Sequence, residues 1–254
     1  MTKASFLNHE KPLICSMLQS RTPERIIELM EKSRADGAEA YGMQFCQLET
    51  QYRNRDTYKM LFEKAGDAPV YVTNYRRGVS TVEKSDDELG KGLIELAECG
   101  ATLCDIIGDF YAPCDGELTE DASAIKKQIE LIDELHKRGA EVLMSTHVLK
   151  YTPAERVLEI ALEHQRRGAD ICKIVTGADD MAQQIENLRI VDLLKQNLKI
   201  PFLYLSAGEC TVLRRLGGFF GACMYLCVCE HDELSTKSQP LVKDVKILRD
   251  DLGL

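Results

Sequence analysis

The sequence predicts an α/β protein folded as a single (β/α)₈ TIM barrel, and three observations support this. Strand-like and helix-like segments alternate eight times, which is typical of a parallel sheet with helices packed on its outside. The length of 254 residues matches one closed barrel. No linker or low-complexity tract interrupts residues 1–254, so one domain is expected. An open doubly wound sheet is the alternative, disfavoured because no glycine-rich dinucleotide turn follows the first strand.

Strands are predicted at short apolar runs of strand type. The two clearest runs, EVLMSTHV and DICKIVTG, flank one amphipathic segment and therefore form a βαβ unit. The rest of the predicted barrel is arranged around this unit. The predicted strands are residues 12–18, 38–45, 69–75, 102–110, 141–148, 170–177, 201–207 and 222–229.

Helices are predicted between the strands from capping residues and from apolar spacing. In the first helix Thr22 is the expected N-cap, and Pro23 takes the first helical position. In the fourth, isoleucine and leucine recur with the i, i+3, i+4 and i+7 spacing of one buried face. The predicted helices are residues 23–37, 57–66, 85–100, 122–139, 153–168, 178–197, 210–221 and 240–252.

The composition excludes several classes of function. A formal net charge of −9 argues against nucleic-acid binding, which needs a basic face. No apolar run has the length of a membrane span, and the amino-terminal segment MTKASFLNHEKP has no signal-peptide core, so a cytoplasmic protein is expected. Without a sign of secretion, the ten cysteines are expected to be free thiols. The spacing of Cys223, Cys227 and Cys229 puts them on one strand face, which is poor geometry for a metal.

Two ionisable residues in the central βαβ unit indicate chemistry. His147 closes the fifth strand and Lys173 lies inside the sixth, so both are expected near the carboxyl ends of adjacent parallel strands. Burial disfavours the charged ammonium form of a lysine, and a neutral amine attacks ketones to form a Schiff base. His147 could then move protons at the neighbouring carbon. The plainer alternative is a salt-bridged lysine beside a structural histidine.

Further polar residues follow the predicted strands. Loops after the seventh and eighth strands of barrels commonly hold anionic groups, which directs attention to Arg215. Together with the Ser235 hydroxyl and the Gln239 amide it could clamp a carboxylate. Alternatively, one of Arg214 and Arg215 lies on a solvated helix face. The other candidates at the strand carboxyl ends are Gln44, Arg76, Arg77, Asp109 and Ser206.

Four motifs in the second half of the chain occur together. They are Ser145-Thr146-His147, Ala169-Asp170-Ile171-Cys172-Lys173-Ile174, Ser206 followed by Arg215-Leu216-Gly217-Gly218, and Ser235 followed by Gln239. In these motifs and in the order of its elements, the sequence resembles the type I 3-dehydroquinate dehydratases. These are (β/α)₈ barrels that act through a lysine Schiff base.

The resemblance implies a carbon–oxygen lyase that converts 3-dehydroquinate to 3-dehydroshikimate and water in the shikimate pathway of aromatic amino acid biosynthesis. Lys173 would form the imine, and His147 would remove the adjacent proton and later protonate the leaving hydroxyl. The resemblance implies no metal or organic cofactor, since the lysine itself supplies the electron sink, and a homodimer. The residues expected to bind the substrate, an oxo-carboxylate, are Arg215, Ser235, Gln239, Arg76, Gln44 and Ser206.

The first half of the chain departs from the family pattern. Where the family has E-x-R-x-D at the second strand, this chain has Gly42, Gln44 and Cys46. The glutamate that would orient the histidine after the third strand is missing, since Val79-Ser80-Thr81 stands there. The D-x-E at the end of the fourth strand is replaced by Gly108 and Phe110.

Three hypotheses remain open at this point. The first is an active dehydratase in which Arg76, Arg77 and Gln44 take over contacts to the substrate hydroxyls. The second is a related lysine-imine lyase or aldolase acting on a less hydroxylated oxo-carboxylate. The third is a non-catalytic barrel that binds a carboxylate.

Overall fold

Within residues 4–7 and 9–253, which this computed structural model describes, eight parallel strands alternate with eight α-helices. The strands are β1 (Leu13–Leu18), β2 (Ala40–Gln44), β3 (Val70–Thr73), β4 (Leu103–Ile107), β5 (Glu141–His147), β6 (Ile171–Gly177), β7 (Phe202–Ala207) and β8 (Met224–Cys227). The helices are α1 (Pro23–Ala35), α2 (Arg55–Ala65), α3 (Asp86–Cys99), α4 (Ala122–Lys137), α5 (Ala154–Arg166), α6 (Met181–Asn197), α7 (Leu213–Phe220) and α8 (Val242–Asp251).

The strands form one sheet in the order β7-β6-β5-β4-β3-β2-β1-β8, which confirms the predicted barrel. Between the two terminal strands of this order, the Cys223 amide donates to the Phe202 carbonyl at 3.0 Å. The barrel is therefore nearly closed. Each predicted strand is present, but most of the predicted strands extend beyond the observed ones at one or both ends. The largest excess is at β4, which ends at Ile107 rather than at residue 110.

Alternation of side chains along the strands separates two cores. The inward-facing positions of the strands form one apolar cluster, which includes Leu103 of β4, Leu143 of β5 and Ile171 of β6. The outward-facing positions, such as Cys172 and Ile174, pack against the helices. A residue two positions after an inward-facing one also faces inward. This period sets which polar side chains enter the barrel.

The amino-terminal segment covers the end of the barrel at which the strands begin. Phe6 is buried within the inner cluster and packs edge-on against the Tyr71 ring, with 6.5 Å between the ring centroids. The Phe6 amide donates to the Glu141 carboxylate at 2.8 Å, and the Ser5 hydroxyl bonds to the same carboxylate. The opposite end, where the strands finish, is left as the open end of the barrel.

Helix starts follow the local chemistry of the sequence. The Thr22 hydroxyl accepts from the Arg25 amide and Pro23 follows at once, as predicted for α1. Ser85 and Glu88 form a reciprocal capping box at the start of α3. In α7 the helix begins at Leu213, three residues later than predicted, and this shift matters for the site. In the described part of the chain, no helix is long and apolar enough to cross a membrane.

Candidate active site

A cavity of about 230 Å³ opens among the carboxyl ends of the strands. Its polar lining comes from β2, β3, β5, β6, α7 and the loop before α8, and its apolar lining from β1 and β6 to β8. Larger grooves lie on the outside, for example one of about 430 Å³ between α2 and α3. The strand-end cavity has the position at which barrels do chemistry, and both Lys173 and His147 line it. Its lining residues are Met17, Gln44, Tyr71, Thr73, Tyr75, His147, Leu149, Lys173, Val175, Leu205, Arg214, Leu226, Thr236 and Gln239.

Lys173 lies inside the barrel because it shares the inward parity of Ile171 on β6. Its side chain is 8% exposed, and its ammonium has three polar neighbours. The Lys173 Nζ atom is 3.3 Å from the Tyr71 hydroxyl, 3.4 Å from the Tyr75 hydroxyl and 3.5 Å from Asp105 Oδ2. The Lys173 amine is therefore buried in the cavity lining, with a carboxylate close by.

Asp105 is the carboxylate of this cluster, and its side chain has no exposed surface. Oδ2 accepts from both the Tyr71 hydroxyl and the Tyr75 hydroxyl, the latter at 2.6 Å. Oδ1 accepts from the Ser145 hydroxyl at 2.5 Å. Asp105 thus accepts hydrogen bonds from three hydroxyls. Burial, followed by the charge of Asp105, raises the pKa of both tyrosines well above the usual value, so both hydroxyls stay protonated.

Asp105 was missed in the sequence analysis. The predicted fourth strand runs to residue 110, whereas β4 ends at Ile107. The expected strand end therefore lies three residues beyond the observed one, and Asp105 falls inside the predicted strand rather than near its end. A usable signal existed, since Asp105 interrupts the apolar run Leu103–Ile107 just as Lys173 interrupts its own strand.

His147 is held by Glu117, which comes from the loop between β4 and α4. The Glu117 Oε2 atom lies 2.8 Å from His147 Nδ1 and accepts from the His147 amide at 2.9 Å. Burial raises the pKa of Glu117, but these contacts with His147 outweigh it and hold the pKa below its usual value. With Nδ1 assigned as the donor to Glu117, the other ring nitrogen, Nε2, carries the lone pair in the neutral imidazole.

The loop that carries Glu117 is fixed from behind. Glu117 itself has a left-handed backbone (φ 48°), and its carbonyl accepts from the Thr146 hydroxyl at 3.0 Å. The buried guanidinium of Arg167 donates to the Gly108 carbonyl at 2.8 Å and to the Thr119 carbonyl at 2.6 Å. A loop residue thus takes the place of the glutamate that the sequence lacks after β3. The position of Glu117 depends on how the loop folds, and no local sequence motif predicts it.

Arg214 lines the cavity, whereas Arg215, the predicted carboxylate-binding residue, does not. Arg214 is 7% exposed and its Nε donates to the Ser206 carbonyl at 2.8 Å, whereas Arg215 is exposed. The inner face of α7 contains Arg214 and Gly218, and a Cβ at Gly218 would lie 2.4 Å from the Tyr225 ring. This close approach to β8 fixes the rotation of the helix. Burial lowers the pKa of Arg214 to about 10, which leaves it charged at neutral pH.

Gln239 and Gln44 line the cavity, as predicted. Gln239 is 6% exposed, and its carbonyl oxygen Oε1 is buried without a hydrogen-bond partner among the described residues. A buried polar atom without a partner is unfavourable, so this oxygen is suited to a donor on a ligand. Gln44 ends β2 on the opposite side.

Ser235 and Ser206, two further predicted binding residues, are not among the residues that line the cavity. The Ser235 hydroxyl donates to the Asp232 carbonyl at 3.0 Å and accepts from its amide at 2.8 Å within a loop turn. The Ser206 hydroxyl donates to the Cys210 carbonyl at 2.7 Å. In the structure these two hydroxyls, which the sequence predicts to bind the substrate, form hydrogen bonds with nearby residues instead. Both expectations therefore differ from the structure.

Arg76 is also outside the cavity, contrary to expectation. Its guanidinium forms ion pairs with Asp86 at 2.7 Å and with Asp109 at 2.8 Å, so it joins the start of α3 to the loop after β4. Arg77 is exposed. Among residues 4–7 and 9–253, no group of three or more histidine, cysteine or acidic side chains is arranged to hold a metal ion.

Comparisons with known proteins support the family resemblance of the sequence motifs. A family model described as type I 3-dehydroquinase matches residues 77–249. A 3-dehydroquinate dehydratase of Alkaliphilus oremlandii is 33% identical over 135 residues, an alignment that spans 52% of this chain and only 51% of that protein. A 3-dehydroquinate dehydratase of Syntrophotalea carbinolica is 26% identical over 220 residues, covering 84% of this chain and 82% of that protein.

Solved structures share the fold at low sequence identity. The 3-dehydroquinate dehydratase of Geobacillus kaustophilus superposes with a TM-score of 0.82 at 15% identity, over 97% of this chain and 93% of that one. The type I enzyme of Clostridium difficile, solved with covalently modified comenic acid, gives a TM-score of 0.79 at 17% identity, over 97% and 94% of the two chains. Because the family model covers more than half of the sequence, the chain belongs to the type I 3-dehydroquinase family.

Proposed function

We propose that this protein is a dehydratase that converts 3-dehydroquinate to 3-dehydroshikimate and water through a Schiff base on Lys173. One observation carries the proposal: Lys173 and His147, on adjacent strands, line the same cavity as the cation Arg214. An amine, a proton carrier and an anion-binding group are the three functions that imine-dependent dehydration of an oxo-carboxylate requires. Family membership supplies the first substrate to test.

The reaction begins with the Lys173 amine. In its neutral form Nζ attacks the ketone carbon, and loss of water from the carbinolamine gives a C=N bond. The protonated imine carries a positive charge close to the place where the ammonium stood. The Asp105 carboxylate, 3.5 Å from Nζ, lies where it stabilises that charge. The iminium then draws electrons from the adjacent carbon, which makes the C–H bond there more acidic.

His147 is the proton carrier in this proposal. Its Nε2 lone pair takes the proton from the carbon next to the iminium, and Glu117 on Nδ1 stabilises the imidazolium that results. The electron pair forms an enamine and then expels the β-hydroxyl, which receives the proton back from His147 and leaves as water. Hydrolysis of the imine by a second water returns the Lys173 amine and releases the unsaturated ketone.

Arg214 and Gln239 are the proposed partners of the substrate's polar groups. Arg214 is charged, lines the cavity and is fixed by its bond to the Ser206 carbonyl, so it is suited to the carboxylate. The unpartnered Oε1 of Gln239 is suited to a substrate hydroxyl. Both side chains lie on the β7–β8 side of the cavity. The substrate carboxylate is therefore expected on this side, with the ketone over Lys173.

A second candidate is an imine-forming lyase for a less hydroxylated oxo-carboxylate. A Cβ at Gly42 would lie 2.3 Å from the Met17 sulfur, so the thioether fills the space beside β2. The apolar lining continues with Leu226, and Gln44 is the neutral polar group on this wall. Neutral hydrogen bonds contribute about 0.5–1.5 kcal/mol and charged ones about 1.5–3. This wall would therefore hold substrate hydroxyls only weakly.

Trapping with borohydride tests the proposal and separates the candidates. The protein is incubated with 3-dehydroquinate and borohydride, and the adduct is located by intact mass and peptide mapping, with turnover followed by ultraviolet absorbance. An adduct on Lys173 together with turnover supports 3-dehydroquinate dehydration. Failure to react with 3-dehydroquinate, while another oxo-acid gives the Lys173 adduct and turnover, selects the second candidate. A folded protein that gives no adduct with any oxo-acid contradicts imine chemistry and leaves a barrel that only binds a carboxylate.

We also propose a homodimer, which the family resemblance implies, and a cytoplasmic location, which is the expectation from the sequence. Light scattering on the purified protein measures its mass in solution, and a monomer at micromolar concentration would contradict the dimer. Fractionation of the cells that make the protein tests the location.

A further inference from the structure

Two tyrosine hydroxyls stand between Lys173 and its carboxylate neighbour. Tyr71 and Tyr75 both donate to the same oxygen, Asp105 Oδ2, and both lie within 3.4 Å of Lys173 Nζ. The lysine and the aspartate are themselves 3.5 Å apart. Nitrogen–oxygen bonds between charged groups are usually about 2.7–2.9 Å long. The four side chains thus form a compact cluster in which the ion pair is longer than a direct charged hydrogen bond.

The cluster satisfies the carboxylate without the lysine. Two hydroxyls occupy Oδ2, and the Ser145 hydroxyl occupies Oδ1 at 2.5 Å. A hydroxyl donates one hydrogen and spreads the negative charge of its acceptor over a longer network. The nearest hydrogen-bond acceptors of Lys173 Nζ are therefore the two tyrosine oxygens, which are weaker acceptors than a free carboxylate. Asp105 remains an anion close to Nζ but is not its main hydrogen-bond partner.

This arrangement serves two opposite needs of an imine-forming lysine. A short ion pair would stabilise the ammonium and so oppose formation of the neutral amine that attacks the ketone. An absent carboxylate would leave the later iminium without a counter-charge. A carboxylate that is near, ionised and already hydrogen-bonded stabilises the iminium while holding the ammonium less tightly.

We infer that Tyr71 and Tyr75 are positioning residues that keep Asp105 from closing a short ion pair with Lys173, and so make the lysine amine easier to deprotonate. The inference deepens the proposed function, because it concerns the same lysine. It assigns a role to two side chains that have none in the reaction steps above. Both act through Asp105 and not on the substrate.

The other groups near Lys173 do not account for the same effect. Burial raises the pKa of the Cys15 thiol, which therefore stays neutral, as do both tyrosines. Changes at Tyr71 or Tyr75 leave the remaining charged groups of the cavity in place. The titratable and charged groups that face Lys173 or share its cavity are Cys15 on β1, Tyr71 and Tyr75 from β3 and the loop after it, Asp105 on β4, His147 on β5 and Arg214 on α7.

The test measures the reactivity of the lysine without any substrate. Formaldehyde forms an imine with a neutral amine, releasing water, and cyanoborohydride reduces that imine by hydride transfer to a methylamine. Labelling of Lys173 is followed against pH by peptide mapping, with the exposed Lys150 of the same sample as the internal reference. Phenylalanine at position 75 keeps the ring and removes only the hydroxyl.

Tyr75→Phe is expected to raise the pH midpoint of Lys173 labelling by about one unit, which is about tenfold slower labelling at a fixed pH below the midpoint. Tyr71→Phe should shift the midpoint in the same direction, so the inference stays testable if one variant fails to fold. Asp105→Asn should shift it downward, because the counter-charge is gone. Ser145→Ala, which frees the other oxygen, should raise the midpoint less than Tyr75→Phe.

An unchanged or lowered midpoint in both phenylalanine variants would overturn the inference. A substitution that only damaged the core would not raise the labelling midpoint in Tyr75→Phe and lower it in Asp105→Asn. The outcome is also separate from the proposed function. Labelling can shift as expected in a protein that gives no adduct with oxo-acids, and oxo-acids can be trapped in a protein whose tyrosine variants label like the wild type.

Discussion

The two sides of the cavity are built differently. On the β3–β6 side, the polar groups bond to one another: Asp105 holds two tyrosines and a serine, and Glu117 holds His147. On the β7–β8 side, the Arg214 Nε donates to the Ser206 carbonyl, and Gln239 has a buried side-chain oxygen without a partner among the described residues. The ionisable groups of the first side have partners within the protein, although the Thr73 hydroxyl on β3 is buried without one, and the second side leaves Gln239 Oε1 without a partner among the described residues. This contrast is consistent with the proposed function, in which the β3–β6 side performs the chemistry and the β7–β8 side binds the substrate carboxylate.

The strongest way to break the contrast is to remove the lysine. Lys173→Ala should abolish the covalent adduct and reduce turnover by at least about 10³-fold, because no other amine lines the cavity among the described residues. Lys126→Ala, an exposed lysine on α4, is the matched control and should behave as the wild type. Residual adduct in the Lys173 variant would place the imine elsewhere.

Removal of the Glu117 charge sharpens the same side. Glu117→Gln should lower kcat by about 10²-fold with little change in KM, because His147 loses the carboxylate that stabilises its imidazolium. Steady-state kinetics measure both constants. Asp115→Asn, an exposed carboxylate of the same loop, serves as the control. Equal losses in the two variants would mean that the loop charge as a whole matters, and not the contact with His147.

The β7–β8 side is tested by a pair of neighbouring arginines. Arg214→Met should raise KM by about 10-fold to 100-fold, the effect of about 1.4–2.8 kcal/mol of lost carboxylate binding. Arg215→Met should leave KM unchanged, because this side chain is exposed. The reverse result would show that α7 is rotated by one residue relative to the structure described above.

The last prediction concerns stability and not the reaction, and it lies behind the β3–β6 side, at His164. This buried ring lies 2.9 Å from the Thr146 hydroxyl, and burial lowers its pKa to about 3. The unfolded histidine, with its ordinary pKa, binds a proton more readily than the folded one. The free energy of unfolding should therefore fall by about 1.4 kcal/mol per pH unit as the pH drops from about 6.5 toward 3.

Urea unfolding at pH 7, 6 and 5 measures this slope. His164→Gln keeps a polar side chain and removes the titrating ring, so its pH slope should be smaller by the contribution of one proton. Parallel slopes for the two proteins would contradict the assignment of a neutral, buried His164.

Strand residues could be read from the sequence because the strand period is rigid. Once Ile171 faces inward, Lys173 must do so as well, and the same reasoning finds His147 on β5. The same period predicts that Asp105, two positions after the inward-facing Leu103, faces inward as well. The predicted strand ends three residues too late, so Asp105 does not stand out as a strand-end residue. The barrel itself follows from eight alternations, each of which repeats the same signals of apolar run and helix cap.

Loop and helix-start residues could not be read with the same security. Each residue turns a helix by about 100°, so the rotation of α7 cannot be taken from spacing alone, and Arg214 faces the cavity in place of Arg215. Glu117 reaches His147 from a loop that Arg167 and Thr146 hold by hydrogen bonds to its carbonyls. The Ser235 hydroxyl bonds to Asp232, and the Arg76 guanidinium pairs with Asp86. The sequence alone does not identify these residues as partners.

The most direct test of the central claim is a crystal structure of the protein after borohydride reduction with 3-dehydroquinate. The account predicts continuous density from Lys173 Nζ to a ligand carbon, with His147 beside the adjacent carbon and the ligand carboxylate on Arg214. Density that joins the ligand to a different lysine, or a carboxylate held away from Arg214, would contradict it.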